Sequence, residues 1–201
     1  LGEDDYREIV GSILARRPPG GDFWLFAYGS LIWKPEVAYL EERIATAHGY
    51  HRAFCIRLSR WRGTIERPGL MMGLARGGQC TGVALRLPQD DLAGAVSTLV
   101  RREMTAKPTT YRPAWLRLAS AAGPVPALGF VVNPARRTYA GRLAEAEGAA
   151  VLARACGHLG SGADYLFNTV GQLEARGIHD RGLWRLQERV ADEIRRLPTG
   201  S

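Results

Sequence analysis

Cysteine is scarce in this chain, and what there is stands apart. Cys55, Cys80 and Cys156 are odd in number and widely spaced among apolar or small residues. That pattern excludes a disulfide framework and a cysteine-built zinc site, and it predicts buried free thiols. Long apolar runs are missing as well. Nothing approaches the ~18 consecutive apolar residues that a membrane-crossing helix needs. The N-terminal stretch LGEDDYREIVGSILARRPPGG carries acid first and base last. This is the reverse of a secretory leader and reads as a helix whose charges match its dipole. A cytoplasmic location without a membrane partner is therefore expected. Histidine is also sparse. The His48–His51 pair has no carboxylate or cysteine placed to complete a ligand set, so no metal site is expected.

Acidic residues are few relative to basic ones, 20 against 27, for a formal net charge of +7. The excess is central. Arg52, Arg57, Arg60, Arg62, Arg67 and Arg76 face Glu66 alone, and Arg101, Arg102, Lys107, Arg112 and Arg117 face Glu103 alone. Such a field attracts anions, whether a small substrate or a phosphate backbone. No groove-reading motif and no interleaving of aromatic with basic residues accompanies it, so nucleic acid is not the expected partner.

The order of elements points to an α+β fold. Residues 4–17 read as a helix ending at Pro18-Pro19-Gly20-Gly21, and the run Phe23-Trp24-Leu25-Phe26 as a buried strand. Residues 43–59 are strand-like, and 60–69 form a loop punctuated by Gly63, Pro68 and Gly69. Residues 70–75 and 81–87 read as two strands of a hairpin turning at Arg76-Gly77-Gly78-Gln79. A helix starts after Pro88-Gln89-Asp90-Asp91, two strands follow at 111–119 and 125–132, and helices follow at 141–158, 163–176 and 180–197. There is no β-α-β-α alternation, and the strands are numerous enough to close or nearly close a small barrel. One domain is expected over 1–201: an N-terminal helix and linker at 1–21, a barrel core at 22–134 and C-terminal helices at 135–201.

Three stretches carry possible chemistry. Leu92, Val96 and Leu99 mark one face of a helix, and Glu103, eleven residues past Leu92, returns to within about 20° of that stripe. A carboxylate at the end of an apolar face is costly unless it is paired, hydrogen-bonded or protonated. It is either an ion-pair partner of a neighbouring arginine or a general acid/base with a raised pKa. The second stretch is Tyr28-Gly29-Ser30-Leu31, directly after the first strand. It lacks the spacing of a dinucleotide site, a P-loop or a serine nucleophile elbow. Ser30 thus reads as a hydrogen-bonding turn residue, Tyr28 as a core aromatic, and the turn as a plain turn or an anion cradle. The third, Gly63-Thr64-Ile65-Glu66-Arg67-Pro68-Gly69, reads as a turn with an exposed ion pair.

Taken together, these stretches resemble the ChaC-type gamma-glutamylcyclotransferases, the glutathione-specific branch. The resemblance runs through Phe26-Ala27-Tyr28-Gly29-Ser30-Leu31-Ile32-Trp33, His48-Gly49-Tyr50-His51-Arg52-Ala53-Phe54-Cys55, Arg62 to Gly69, Gly77 to Ala84, Arg101-Arg102-Glu103-Met104, Asn133-Pro134 and Gly160 to Leu166. It spans about residues 20 to 190. It implies a small mixed β-barrel with surrounding helices, and the conversion of glutathione to 5-oxoproline and cysteinylglycine without cofactor or metal. It further implies that the turn Tyr28, Gly29, Ser30, Leu31 holds the gamma-glutamyl group and that Glu103 is the catalytic acid/base; Tyr111 is expected to contact substrate, and Tyr165 either lines the site or packs. The chain departs from the family pattern in a longer loop between Met104 and Tyr111. Two rival readings are a cyclotransferase for other gamma-glutamyl amines or amino acids, and a non-enzymatic basic binding module.

Overall fold

Five consecutive apolar residues, Phe23–Ala27, form β1, and all five are buried. Such a strand must be central, because both of its faces need cover. In the computed structural model, which describes residues 1–198, β1 runs antiparallel to β3 (Gly69–Leu87) and parallel to β5 (Val125–Val132). With β2 (Glu41–Leu58) and β4 (Tyr111–Ser120), these strands close a five-stranded barrel in the order β1-β3-β2-β4-β5. The expected α+β barrel is the observed architecture. Residues 199–201, the tail of the expected C-terminal segment, lie outside the described residues.

The chain divides into two compact units. The first comprises Leu1–Arg52 and Gly73–Arg136 and holds the barrel pairings. It also holds α1 (Glu3–Ala15) and α2 (Leu92–Glu103), which pack together. Glu3 of α1 grips Arg101 of α2 through two bonds of 2.8 and 2.5 Å, and the Arg101 guanidinium lies 4.5 Å from the centre of the Tyr6 ring. The helix start expected after Pro88 is set by Asp91, whose side chain accepts from the Gly94 amide at 3.1 Å.

The second unit comprises Ala53–Met72 and the chain from Arg137 onward. It contains α3 (Glu145–Arg154), a two-stranded ribbon of β6 (Cys156–Gly157) and β7 (Gly160–Ser161), α4 (Gly162–Glu174) and α5 (Arg181–Arg195). Residues 138–140 extend the end of β2: Arg57 N–H donates to the Thr138 carbonyl and Ala140 N–H to the Cys55 carbonyl, both at 2.8 Å.

Three local expectations change. The hairpin expected at 76–79 is absent, and β3 is one continuous strand. Gly77 and Gly78 adopt φ of +101° and +70° within it, and Gly49 in β2 adopts +80°. The His51 imidazole Nδ1 lies 2.9 Å from the Gly77 carbonyl oxygen, so the glycine pair is a kink held against β2 and not a reversal. The helix expected over 141–158 is shorter, because Ala155 is extended and 156–157 joins the ribbon. Cys156, on that ribbon, is exposed, whereas Cys55 and Cys80 are buried as expected. Among the described residues, no helix is long and apolar enough to cross a membrane, and no three His, Cys, Asp or Glu side chains group to hold a metal ion.

Candidate active site

The barrel delivers the Tyr28–Leu31 turn at the C-terminal end of β1. Tyr28 is buried, and its hydroxyl donates to the Phe130 carbonyl of β5 at 2.8 Å. Phe130 is paired across the sheet with Pro113, a residue without an N–H to offer. The tyrosine thereby serves an acceptor inside the barrel and ties the turn to β5. After it, Ser30–Ile32 coil into a 3-10 turn whose first internal bond runs from the Ile32 amide to the Gly29 carbonyl at 2.9 Å. The Ser30 and Leu31 amides precede that bond, so the turn itself supplies them no acceptor.

Glu103 is the last residue of α2, beyond the buried Val96, Leu99 and Val100. The arginine pair that its sequence setting allows is formed: Arg102 Nε donates to Glu103 Oε1 at 3.0 Å, and the glutamate side chain is 13% exposed. Burial pushes the Glu103 carboxyl above the ordinary glutamate range. The charge and hydrogen bond of Arg102 pull it down, the Glu36 carboxylate adds to the rise, and burial prevails.

Arg102 joins the two candidate elements. Its Nη2 donates to Ser30 Oγ at 3.0 Å. Its Nη1 donates to the Lys34 carbonyl and lies 3.4 Å from Glu36 Oε1. Ser30 is therefore a hydrogen-bonding turn residue, as its sequence setting indicates. A guanidinium has no acceptor and takes no proton, so this contact does not activate a serine nucleophile. Glu36 sits at φ +59°, a left-handed conformation uncommon for a residue with a side chain, and its carboxylate also meets Lys34 Nζ at 3.4 Å.

Tyr111 opens β4 opposite Val132 and is buried. It meets the same stretch of β5 that receives the Tyr28 hydroxyl. Asn133 anchors the longer loop before it: Asn133 N–H donates to the Thr110 carbonyl at 2.9 Å and Nδ2 to the Thr109 carbonyl at 2.8 Å. Tyr165 belongs to the second unit. It is buried on α4, edge-on to Phe54, with the Arg62 guanidinium 5.2 Å from its ring centre. Arg62 also donates to the Ser161 carbonyl at 3.0 Å, at the N-cap of α4. The Arg62–Gly69 and Gly160–Leu166 stretches, far apart in sequence, thus meet inside this unit. A separate groove of about 380 Å³, lined by Pro18, Trp115, Leu116, Arg117, Pro124 and Pro126, contains none of the candidate residues.

Reading residues singly misses Arg102 and Glu36. Arg102 stood only among several possible partners for Glu103, and nothing in Lys34-Pro35-Glu36 announces a left-handed residue or its target. Only the crossing of the loop over the end of α2 brings them together.

The fold is that of the gamma-glutamyl cyclotransferases. A yeast gamma-glutamyl cyclotransferase specific to glutathione superposes with a TM-score of 0.76, covering 87% of this chain and 97% of that one at 19% identity. Sequence relationships are narrower. The profile of ChaC-like protein matches residues 23–193, and the chain belongs to that family. A glutathione-specific gamma-glutamylcyclotransferase of Escherichia coli K12 is 39% identical over 175 residues, covering 87% of this chain and 75% of that protein. The human glutathione-specific gamma-glutamylcyclotransferase 1 is 30% identical over 162 residues, covering 77% and 71%.

Proposed function

We propose that this chain is a glutathione-specific gamma-glutamylcyclotransferase with Glu103 as its general acid/base. The observation that carries the reading is the largely covered Glu103 carboxylate, joined through one arginine to the turn that follows β1. The names of the relatives support the substrate.

The reaction needs little from the protein beyond position and one proton carrier. The substrate's own alpha-amine attacks its own gamma-carbonyl carbon. A C–N bond forms and closes a five-membered lactam, and the gamma-amide C–N bond to cysteine breaks. Glu103 takes a proton from the attacking amine and returns one to the departing cysteinylglycine nitrogen. No water and no external nucleophile is consumed, which fits a serine engaged by a guanidinium. The attack is already intramolecular, so the protein's part in positioning is to hold the one bent conformer in which amine and carbonyl meet. A carboxylate deprived of water is a stronger base than one in solvent, which suits the proton transfer near neutral pH.

In this reading the amides of Gly29, Ser30 and Leu31 receive the alpha-carboxylate of the gamma-glutamyl group. Tyr28 fixes the turn that carries them, and Tyr111 lines the same site from β4. Glu103, the Tyr28–Leu31 turn and Tyr111 all belong to the first unit. The substrate is a small anionic peptide, drawn by the chain's positive charge.

The test is release of 5-oxoproline, followed by mass spectrometry, from glutathione and from a panel of other gamma-glutamyl amines and amino acids. Turnover of glutathione with little turnover of the panel is the expected result. Preference for a simple gamma-glutamyl amine would retain the chemistry and replace the substrate. No 5-oxoproline from any of them would remove the reading.

A further inference from the structure

We propose that Arg102 is a positioning residue for this reaction, bolting the 28–36 segment to the end of α2 so that the Glu103 carboxylate stands at a fixed place relative to the turn. The inference rests on the assignment of Glu103 as the base. It concerns a residue that does not itself touch substrate.

All three guanidinium nitrogens are committed within the protein. Nε serves Glu103 Oε1, Nη2 serves Ser30 Oγ, and Nη1 serves the Lys34 carbonyl and faces Glu36 Oε1. The side chain is 17% exposed, so it is a wedge between two elements and not a surface arm. One planar fork thus spans the turn, the segment after it and the base. A lysine ammonium, a point charge on a flexible stem, does not reproduce that span. Glu36 marks the same junction from the other side. A non-glycine residue at positive φ persists where its surroundings hold it, and here its carboxylate is aimed at Arg102 and Lys34.

Arg102 therefore does two things to Glu103. It fixes the carboxylate's position, and its positive charge favours the ionised form. The charged groups facing Glu103 are Arg102 from α2 and Glu36 from the segment before β2, with Lys34 paired to the latter. The two effects separate by substitution. Arg102→Gln loses both the fork and the charge. Arg102→Lys keeps the charge and loses the fork.

Both variants are compared with wild type and with Glu103→Gln by two measurements, after far-UV circular dichroism establishes folding. The first is the Glu103 carboxyl titration by 13C NMR, which requires no substrate. The expected result is a titration moved upward in Arg102→Gln and moved less in Arg102→Lys. The second is the steady-state rate with glutathione as a function of pH. Here kcat is expected to fall about 10- to 100-fold in both variants, as a displacement of about 1 Å in a reacting group does, with KM changed far less. The acid limb should move upward more in Arg102→Gln than in Arg102→Lys. A folded Arg102→Gln with an unmoved Glu103 titration, or with kcat within threefold of wild type, overturns the proposal. A wild type that makes no 5-oxoproline, or an active Glu103→Gln, instead overturns the reading of the function. In that case the NMR titration still decides whether Arg102 and Glu103 are coupled.

Discussion

Replacing Glu103 by glutamine tests the chemistry with the least disturbance to the fold. Glutamine is nearly isosteric, and its amide oxygen can still accept from Arg102 Nε, the contact made at 3.0 Å in the native chain. What it cannot do is take up and return a proton. A positioned general acid/base contributes roughly 10²- to 10⁴-fold, or about 2.7 to 5.5 kcal/mol of barrier at about 1.36 kcal/mol per tenfold. The expected kcat on glutathione is lower by that factor. It is not zero, because the turn still holds the substrate bent for ring closure. KM should change little, since the substrate's carboxylate is assigned to turn amides and not to Glu103. The assay is 5-oxoproline release at saturating glutathione, with thermal melting as the check on folding. A folded Glu103→Gln within about threefold of wild type would refute the assignment and leave Glu103 as a buried ion-pair partner only.

Three further outcomes follow from particular contacts. The stability of wild type relative to Glu103→Gln should fall as pH rises. A carboxyl whose folded-state pKa lies above its unfolded value binds more protons folded than unfolded between the two, so its stabilisation is complete below the usual glutamate range and is lost on rising through the raised value. Urea unfolding of both proteins between pH 4 and pH 8 reads this directly, and a difference that grows with pH in favour of wild type would contradict it. Tyr28→Phe removes a buried 2.8 Å bond to the Phe130 carbonyl and should cost about 1–3 kcal/mol of stability in denaturant unfolding; no loss would mean that the carbonyl finds another donor. Gly63→Ala would put a methyl carbon 2.3 Å from the Gly69 amide nitrogen and 2.8 Å from the Leu58 carbonyl oxygen, both backbone atoms. It should destabilise by about 1–3 kcal/mol, read as a lowered melting temperature, and an unchanged melt would show that the loop yields there.

The central positive charge illustrates how a feature of sequence changes meaning in space. Read along the chain, residues 52–76 and 101–117 are two basic clusters. In the fold many of these cations are spent on internal partners. Arg52 donates to the Thr81 carbonyl, Arg57 pairs with Glu147, Arg62 stacks on Tyr165, and Arg101 and Lys107 hold Glu3 and Asp5. A run of arginines in sequence is thus largely a set of separate fastenings, and the attraction of an anionic substrate is left to the net charge.

Periodicity and composition were enough for the α+β class, the barrel strands other than the continuous course of β3, the helices at α1, α2, α4 and α5, and the placement of Glu103 at the end of an apolar stripe. These depend on local spacing, which a single chain displays. The quoted stretches were enough for the family, because many collinear matches are hard to obtain by chance. The hairpin expected at Gly77-Gly78 failed because two left-handed glycines make either a reversal or a kink, and the choice belongs to the neighbouring strand. The exposure of Cys156 failed for a related reason: whether a thiol is covered depends on which elements arrive beside it. The Arg102 junction was illegible for the same cause. Its acceptors come from residues 30, 34, 36 and 103, and only the packing of the 30–36 segment against the end of α2 brings the first three to the fourth. Local patterns write elements into a sequence, while contacts between residues far apart in the chain exist only once the strands have paired.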